Sequence, residues 1–478
     1  MSTILLWALS ALLAAVFVAA NVSNLRLLLG HYRRADGSNP SPIPFAGGIA
    51  GALALWIAPN ETLGLFFWVP LVVDLGTGPF LLLLIVVSAI EGIRTGAWWR
   101  RIPFVRYVVK PEPVPARQPF PKEPAITGCI LGTAVADAMG LACEGLSRAR
   151  QARMFPELTG YKLLPFGKGL CSDDTEHTCM LAQSLIETAG CCDADDMARR
   201  FASNFGWRLR FWVLGMPAGI GFATLRAIFK LWIGFPARYS GVFSAGNGPA
   251  MRVALIGVCY GDDPPHLRAL VRAATRITPT DPKAEHGALA VALAAHLSAT
   301  GKDIAPAGYL LRLRELLGSE ASELPGLVEN VAHSVARNES TAEFAAGAGC
   351  GQGVSGYILH TVPAALHAWL THQGDYRGAV TAVVRLGGDS DTAAAIVGAV
   401  AGARTGKEGI PAEWLRDLWE WPRTVAWMER LAARLAEHCE QHASGGAVPL
   451  GWLQLLLRNV LFIPLVLAHG FRRLLPPY

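Results

Sequence analysis

Residues 387–402 read GGDSDTAAAIVGAVAG, and the reading of this stretch decides the fold. Asp389, Ser390, Asp391 and Thr392 form a polar knot directly ahead of a run, 392–403, in which apolar residues recur at spacings of three and four. That period is helical. A second knot, Ser172-Asp173-Asp174-Thr175, precedes another such run over 178–189. Taken alone, either knot reads as helix capping, and Asp173 with Glu176 has the spacing of a capping box. A cap needs only one side-chain oxygen, however, and adjacent carboxylates repel one another. Two such clusters in one chain therefore point to a cation that offsets the charge. Carboxylate and hydroxyl oxygens are hard donors that suit Mg²⁺, Mn²⁺ or Ca²⁺ better than zinc.

Outward from these knots the helical period continues along 284–298, 358–370, 376–386 and 413–437. No alternating Val/Ile/Thr run is long enough to make a sheet, so residues 125–440 are expected to be an all-α domain. Glycine-rich loops at 244–248 and 347–356 interrupt the helices where a helical enzyme places binding residues. The segment 110–124 has prolines at 111, 113, 115, 119, 121 and 124 and reads as an extended linker. A chain of 478 residues exceeds what one core serves, so a second unit is expected on the other side of that linker.

Composition locates the second unit. The apolar fraction is 52% and the charged fraction 17%, with the greasiest segments at the two ends. Spans are expected near 4–24, 43–59 and 63–93, which makes residues 1–109 a transmembrane region. Arg26, Arg33 and Arg34 follow the first span, and Arg94, Arg100, Arg101, Arg106 and Lys110 follow the last, whereas the turn at 60–62 has no basic residue. The positive-inside rule then gives three spans, an external N-terminus and a cytoplasmic C-terminal domain at the cell membrane. The tail 441–478 is apolar too, but Arg458 and Pro464 interrupt it; it is read as a helix lying at the interface or docked on the domain. Net charge is only +5 and the basic residues flank apolar segments, so a nucleic-acid partner is not expected and the bilayer is. The nine cysteines form no CxxC pair and no zinc spacing, which fits a reducing compartment.

Four blocks, in order, make the domain specific: Gly128-Cys-Ile-Leu-Gly132 through Asp137-Ala-Met-Gly140 to Glu144; Ser172-Asp-Asp-Thr175; Ser244-Ala-Gly-Asn-Gly-Pro-Ala-Met-Arg252; and Gly388-Asp-Ser-Asp-Thr-Ala-Ala394. Together they resemble the ADP-ribosylglycohydrolase family over about 126–405. The resemblance implies an all-α domain with two Mg²⁺ or Mn²⁺ ions held by Ser172, Asp173, Asp174, Asp389, Asp391 and Thr392. It implies Glu144 as the residue that polarises a water or a substrate hydroxyl. It also implies a cradle for the diphosphate and ribose at Gly246, Asn247 and Gly248 and at Gly353, Val354, Ser355, Gly356 and Tyr357, although those glycines also read as tight turns. The expected activity is hydrolysis of the bond between ADP-ribose and a protein side chain, arginine by default, or of an ADP-ribose-containing small molecule. Glu144 follows Met, Leu, Ala and Cys, and burial there is expected to raise its pKa.

A rival reading, the nucleophile loop of haloacid-dehalogenase-type phosphatases, requires Thr or Val where Ala393 stands. Two positions depart from the family pattern. Ala136 precedes Asp137 where glycine is usual and is expected to crowd a backbone. Pro279, in Ile277-Thr-Pro-Thr-Asp-Pro282, stands where family members commonly carry His, and His286 is the nearby substitute. Loss of that His supports an alternative in which the chain is a membrane-tethered ADP-ribose-binding module with little turnover.

Overall fold

Gly128, Gly132 and Gly140 fall on one face of the helix Glu123–Leu141, and Gly398 and Gly402 on one face of the helix Ser390–Thr405. In the computed structural model these two faces meet without side chains between them. A Cβ on Gly128 would lie 2.0 Å from the Gly402 carbonyl oxygen, one on Gly132 2.2 Å from that of Gly398, and one on Gly140 2.4 Å from that of Ser390. Ala136, expected to crowd a backbone, instead faces Gly398, where an added Cβ would come within 2.4 Å of its own. The partner's glycine makes the room. Both helices are apolar nearly all round because they are buried nearly all round. Glu123–Leu141 is long and apolar enough to cross a membrane, yet it is a core helix.

The structure describes residues 3–28, 46–60, 63, 66, 69–74, 122–190, 193–318, 323–472 and 476. Among them there are helices and isolated β-bridges but no strand, in keeping with the all-α expectation. Around the central pair pack Asp173–Thr188, Ala254–Tyr260, Pro282–Ala299, Ile358–Thr371, Tyr376–Val384 and Val425–Gln441. The run expected over 413–437 is two helices, Ala412–Asp417 and Val425–Gln441, with Pro422 in the segment between them. Cys129, Cys143, Cys171, Cys179, Cys259, Cys350 and Cys439 are buried and form no disulfide.

At the N-terminal end, Thr3–Leu28 packs on Ala46–Ile57, which packs on the short helix Val69–Val73. The Ser10 hydroxyl donates to the Ala54 carbonyl at 2.7 Å, and a Cβ on Gly51 would lie 2.8 Å from the Phe17 ring. Most of the span expected over 63–93, and the linker up to residue 121, lie outside the described residues. The tail forms the helix Trp452–Arg472, whose Arg458, Asn459 and Phe462 are buried against the helical domain while Leu453, Leu457 and Leu461 are exposed.

Candidate metal centre

The close approach of the two glycine faces sets Asp137, on the last turns of one helix, beside Asp391, on the first turn of the other. A third helix, Asp173–Thr188, starts at the same place and adds Asp174. One carboxylate oxygen from each of Asp137, Asp174 and Asp391 lies within 4.8 Å of the others, and all three residues are buried. Hydrogen bonds account for only part of this oxygen set. Asp137 accepts the Ser172 N–H at 2.9 Å, the Thr175 N–H at 3.2 Å and the Thr175 hydroxyl. Asp174 Oδ2 accepts from the Ser172 hydroxyl at 2.9 Å and the Thr392 hydroxyl at 3.3 Å. Asp174 Oδ1 and Asp391 Oδ1 are buried and accept no hydrogen bond.

Those two oxygens decide between the capping and cation readings. Ser172 is the N-cap of its helix, its hydroxyl accepting the Asp174 N–H, so Asp173 is not the cap. Nor does Glu176 close a capping box; it faces away toward Arg423 at 2.7 Å and the Trp212 indole N–H. Asp389 occupies the N-cap position of Ser390–Thr405 without a side-chain cap bond and instead accepts from the Asn247 amide at 2.8 Å. A buried carboxylate oxygen with neither a hydrogen bond nor a cationic side chain is costly. Its donor chemistry fits a divalent cation: hard, anionic and convergent.

Electrostatics agree. Burial pushes the Asp137 carboxyl up to about 7, despite the hydrogen bonds from Thr175 and Ser172 that favour its charge. Burial also raises Asp173, Asp174, Asp389 and Asp391, and neighbouring carboxylates raise Asp173, Asp174 and Asp391 further. Two helix N-termini, at Asp173 and Ser390, point their free N–H ends at the cluster and offset part of the charge.

Glu144 sits on the turn after Leu141 and is exposed, so the burial expected from its apolar neighbours is absent: Met139, Leu141 and Cys143 take the core side of that turn. Its charge still contributes to the raised pKa values of Asp173 and Asp391, which places it beside the cluster. The glycine-rich loops clasp the same region. Gly388 bridges to Leu146 and Val354, and a Cβ there would lie 2.0 Å from the Val354 carbonyl, so only glycine, with φ of 77°, fits. Gly246 pairs with Tyr357, the Asn247 N–H donates to the Gly356 carbonyl at 3.0 Å, and Ser355 contacts His360 at 2.9 Å. Gly353, Val354 and Gly356 thus lean on the Asp389 loop; Gly248 meets nothing within 4 Å of an added Cβ.

Ser172, Asp174, Asp391 and Thr392 therefore come together at the cluster, with Asp173 and Asp389 half-buried at its edge. Asp137 was quoted only as part of a motif; the structure makes it a central member. Its signal was an acid within an apolar run, far from the helix start where Glu123 stands. Pro279 is buried in a bridge with Val242, whose bonds run to the Thr278 carbonyl and the Thr280 N–H, so the N–H that proline lacks is not needed there. Arg252 ties this stretch to the helix Asp173–Thr188, donating to the Thr278 hydroxyl at 2.8 Å and touching His177 at 3.0 Å. His286 is buried on the helix Pro282–Ala299.

Comparison with known proteins is consistent with this arrangement. Residues 121–445 match the model of the ADP-ribosylglycohydrolase family. An uncharacterised protein of Archaeoglobus fulgidus is 31% identical over 66% of this chain and 97% of its own length. The ADP-ribosyl-[dinitrogen reductase] glycohydrolase of Rhodospirillum rubrum is 27% identical over 61% of this chain and 89% of its own. ADP-ribosylhydrolase ARH3 of Gallus gallus is 26% identical over 70% of this chain and 96% of its own.

Proposed function

The chain belongs to the ADP-ribosylglycohydrolase family, a family of hydrolases of ADP-ribose linkages, and on that premise we propose that it removes ADP-ribose from a protein side chain, arginine by default, using divalent metal ions. The observation that carries the metal part is the pair of buried, unpartnered oxygens on Asp174 and Asp391 beside Asp137. Asp137, Asp174 and Asp391 would hold one Mg²⁺ or Mn²⁺, and Asp173, Asp389, Ser172 and Thr392 would supply further donors for a second. Cations there would neutralise the carboxylates and supply the Lewis acid that holds ribose hydroxyls and a water.

The remaining work falls to the chain's own residues. The loops Gly246–Gly248 and Gly353–Tyr357 hold the diphosphate and ribose, and the Asn247 amide keeps the Asp389 carboxylate oriented. Fixing the sugar in this way lowers the entropic part of the barrier. As the bond from the anomeric carbon to the acceptor nitrogen breaks, a water oxygen adds to that carbon. Glu144, exposed at the rim, takes the water's proton and returns one to the leaving nitrogen. We place the domain on the cytoplasmic face of the cell membrane, held by three N-terminal spans. Support for the anchor comes from the exposed Trp7, Leu12, Val18 and Trp56 on the N-terminal helices and from the charge pattern around them.

The activity is tested with the full chain, by measuring ADP-ribose release from modified arginine, modified serine and free-nucleotide substrates with and without Mg²⁺ or Mn²⁺. Metal-dependent release from modified arginine is expected. Tight ADP-ribose binding with no release from any substrate refutes the hydrolase reading and leaves the binding module. Reporter fusions after residues 37 and 110 should both report cytoplasm; an external signal at 110 overturns the topology.

A further inference from the structure

The helix Trp452–Arg472 begins beyond the residues that match the family, yet it reaches the start of the first acidic motif. Arg458 Nη2 donates to the Cys171 carbonyl at 2.6 Å and to Glu420 Oε2 at 2.7 Å. The same Glu420 oxygen accepts the Cys171 N–H at 3.0 Å. Cys171 is thereby gripped on both sides of its backbone, one residue before Ser172, whose N–H binds Asp137 and whose hydroxyl bonds Asp174. Behind this grip, Arg423 pairs with Glu176 at 2.7 Å. The two arginines and two glutamates are all buried and their charges cancel. Other contacts seat the helix. The Asn459 amide donates to the Gly215 carbonyl at 2.8 Å, Phe462 packs with Leu141, Ala142 and Leu163, and His469 contacts the Ala142 carbonyl at 2.8 Å, two residues before Glu144.

We propose that Arg458 is a positioning residue: through Cys171 and Glu420 the tail helix fixes the backbone of Ser172–Thr175 in the geometry that lets Asp174 and Asp137 bind a cation. Groups that orient metal ligands from behind typically change metal affinity by about ten- to a hundredfold when removed. The proposal rests on the metal reading given above. It gives this chain a site whose order depends on an element outside the family's shared core. Displacement of the helix would loosen the Ser172–Thr175 loop and the Glu144 turn together, because the same helix touches both.

The test compares wild type, Arg458→Lys, Arg458→Met and the double variant Arg458→Met with Glu420→Gln, all as full chains. Hydrogen exchange without metal is followed at residues 171–176 and at 376–384 as a remote control, and Mn²⁺ binding is followed by calorimetry. Arg458→Met strands the Glu420 carboxylate in the interior and is the variant at risk of misfolding. The double variant strands no charge and is expected to fold. It should exchange about tenfold or more faster at 171–176, unchanged at 376–384, and bind Mn²⁺ about tenfold or more weakly. Arg458→Lys should recover part of both. Wild-type exchange at 171–176 and wild-type Mn²⁺ affinity in the double variant would overturn the proposal. If wild type itself binds no Mn²⁺, the metal reading fails on its own, and exchange at 171–176 alone decides whether Arg458 orders the loop.

Discussion

Asp391→Asn is expected to change stability in opposite directions with and without metal. Asp391 Oδ1 is buried without a partner and lies within 4.8 Å of oxygens on Asp137 and Asp174. At an effective dielectric near 20, two full charges at that separation repel by about 3 kcal/mol. The Asp137 carboxyl, raised to about 7, holds a proton part of the time at neutral pH, so relief on removing one charge is about 1–3 kcal/mol at pH 8. The metal-free variant should thus melt higher than metal-free wild type, by roughly 2–6 °C. With free Mg²⁺ at about 100 times the wild-type Kd, binding stabilises wild type by about 2.7 kcal/mol; a hundredfold loss of affinity cuts this to about 0.4 kcal/mol. Differential scanning calorimetry in chelator and in Mg²⁺ reads both. A capping role predicts neither effect, because Asn caps about as well as Asp. An unchanged metal-free Tm together with a wild-type Mg²⁺ shift would refute the reasoning.

Stabilisation by Mg²⁺ should fade as pH falls from 8 to 5. Asp137 has a folded pKa of about 7, above its unfolded value, so the metal-free fold binds extra protons between the two and gains stability on acidification, while the metal must displace those protons. Melting curves across that range check the sign, and a Mg²⁺ shift that grows toward pH 5 contradicts it. Gly132→Ala should cost about 3 kcal/mol or more in chemical denaturation, since its Cβ would sit 2.2 Å from a helix carbonyl rather than from a movable side chain; a change below about 1 kcal/mol would mean that the helices separate easily. Pro279→His should leave ADP-ribose affinity similar and raise the rate of ADP-ribose release. A lower rate or an unfolded domain would mean that the Thr278–Thr280 bridge to Val242 was built around proline.

Much of the helical domain was legible because its signals are local. The run at 392–403 appears as Ser390–Thr405, that at 178–189 as the later part of Asp173–Thr188 and its C-cap Ala189, and that at 358–370 as Ile358–Thr371. Each has its polar start directly before an apolar period. What was hidden depends on pairings far apart in the chain. Asp137 becomes central only because Gly128, Gly132 and Gly140 press on a helix about 260 residues later, and periodicity says nothing about which face of an all-apolar helix meets which partner. Glu144 was misjudged for a related reason: apolar neighbours in sequence bury a residue only if it shares their face, and a turn after Leu141 puts it on the other one. The Arg458 contact with Cys171 spans 287 positions and carries no local signal beyond a cation in an apolar tail.

The central claim, that the two acidic clusters form one hydrolytic metal centre, is tested most directly by ADP-ribose release together with calorimetric Mg²⁺ or Mn²⁺ titration of wild type, Asp174→Asn and Asp391→Asn. Asp193→Asn serves as control, since it alters an exposed helix cap distant in role from the cluster. Loss of a ligand should remove several kcal/mol of transition-state stabilisation, a rate loss of about a hundredfold or more, with weakened metal binding in both cluster variants and none in the control. Cluster variants that bind two metal ions and release ADP-ribose at the wild-type rate would contradict it.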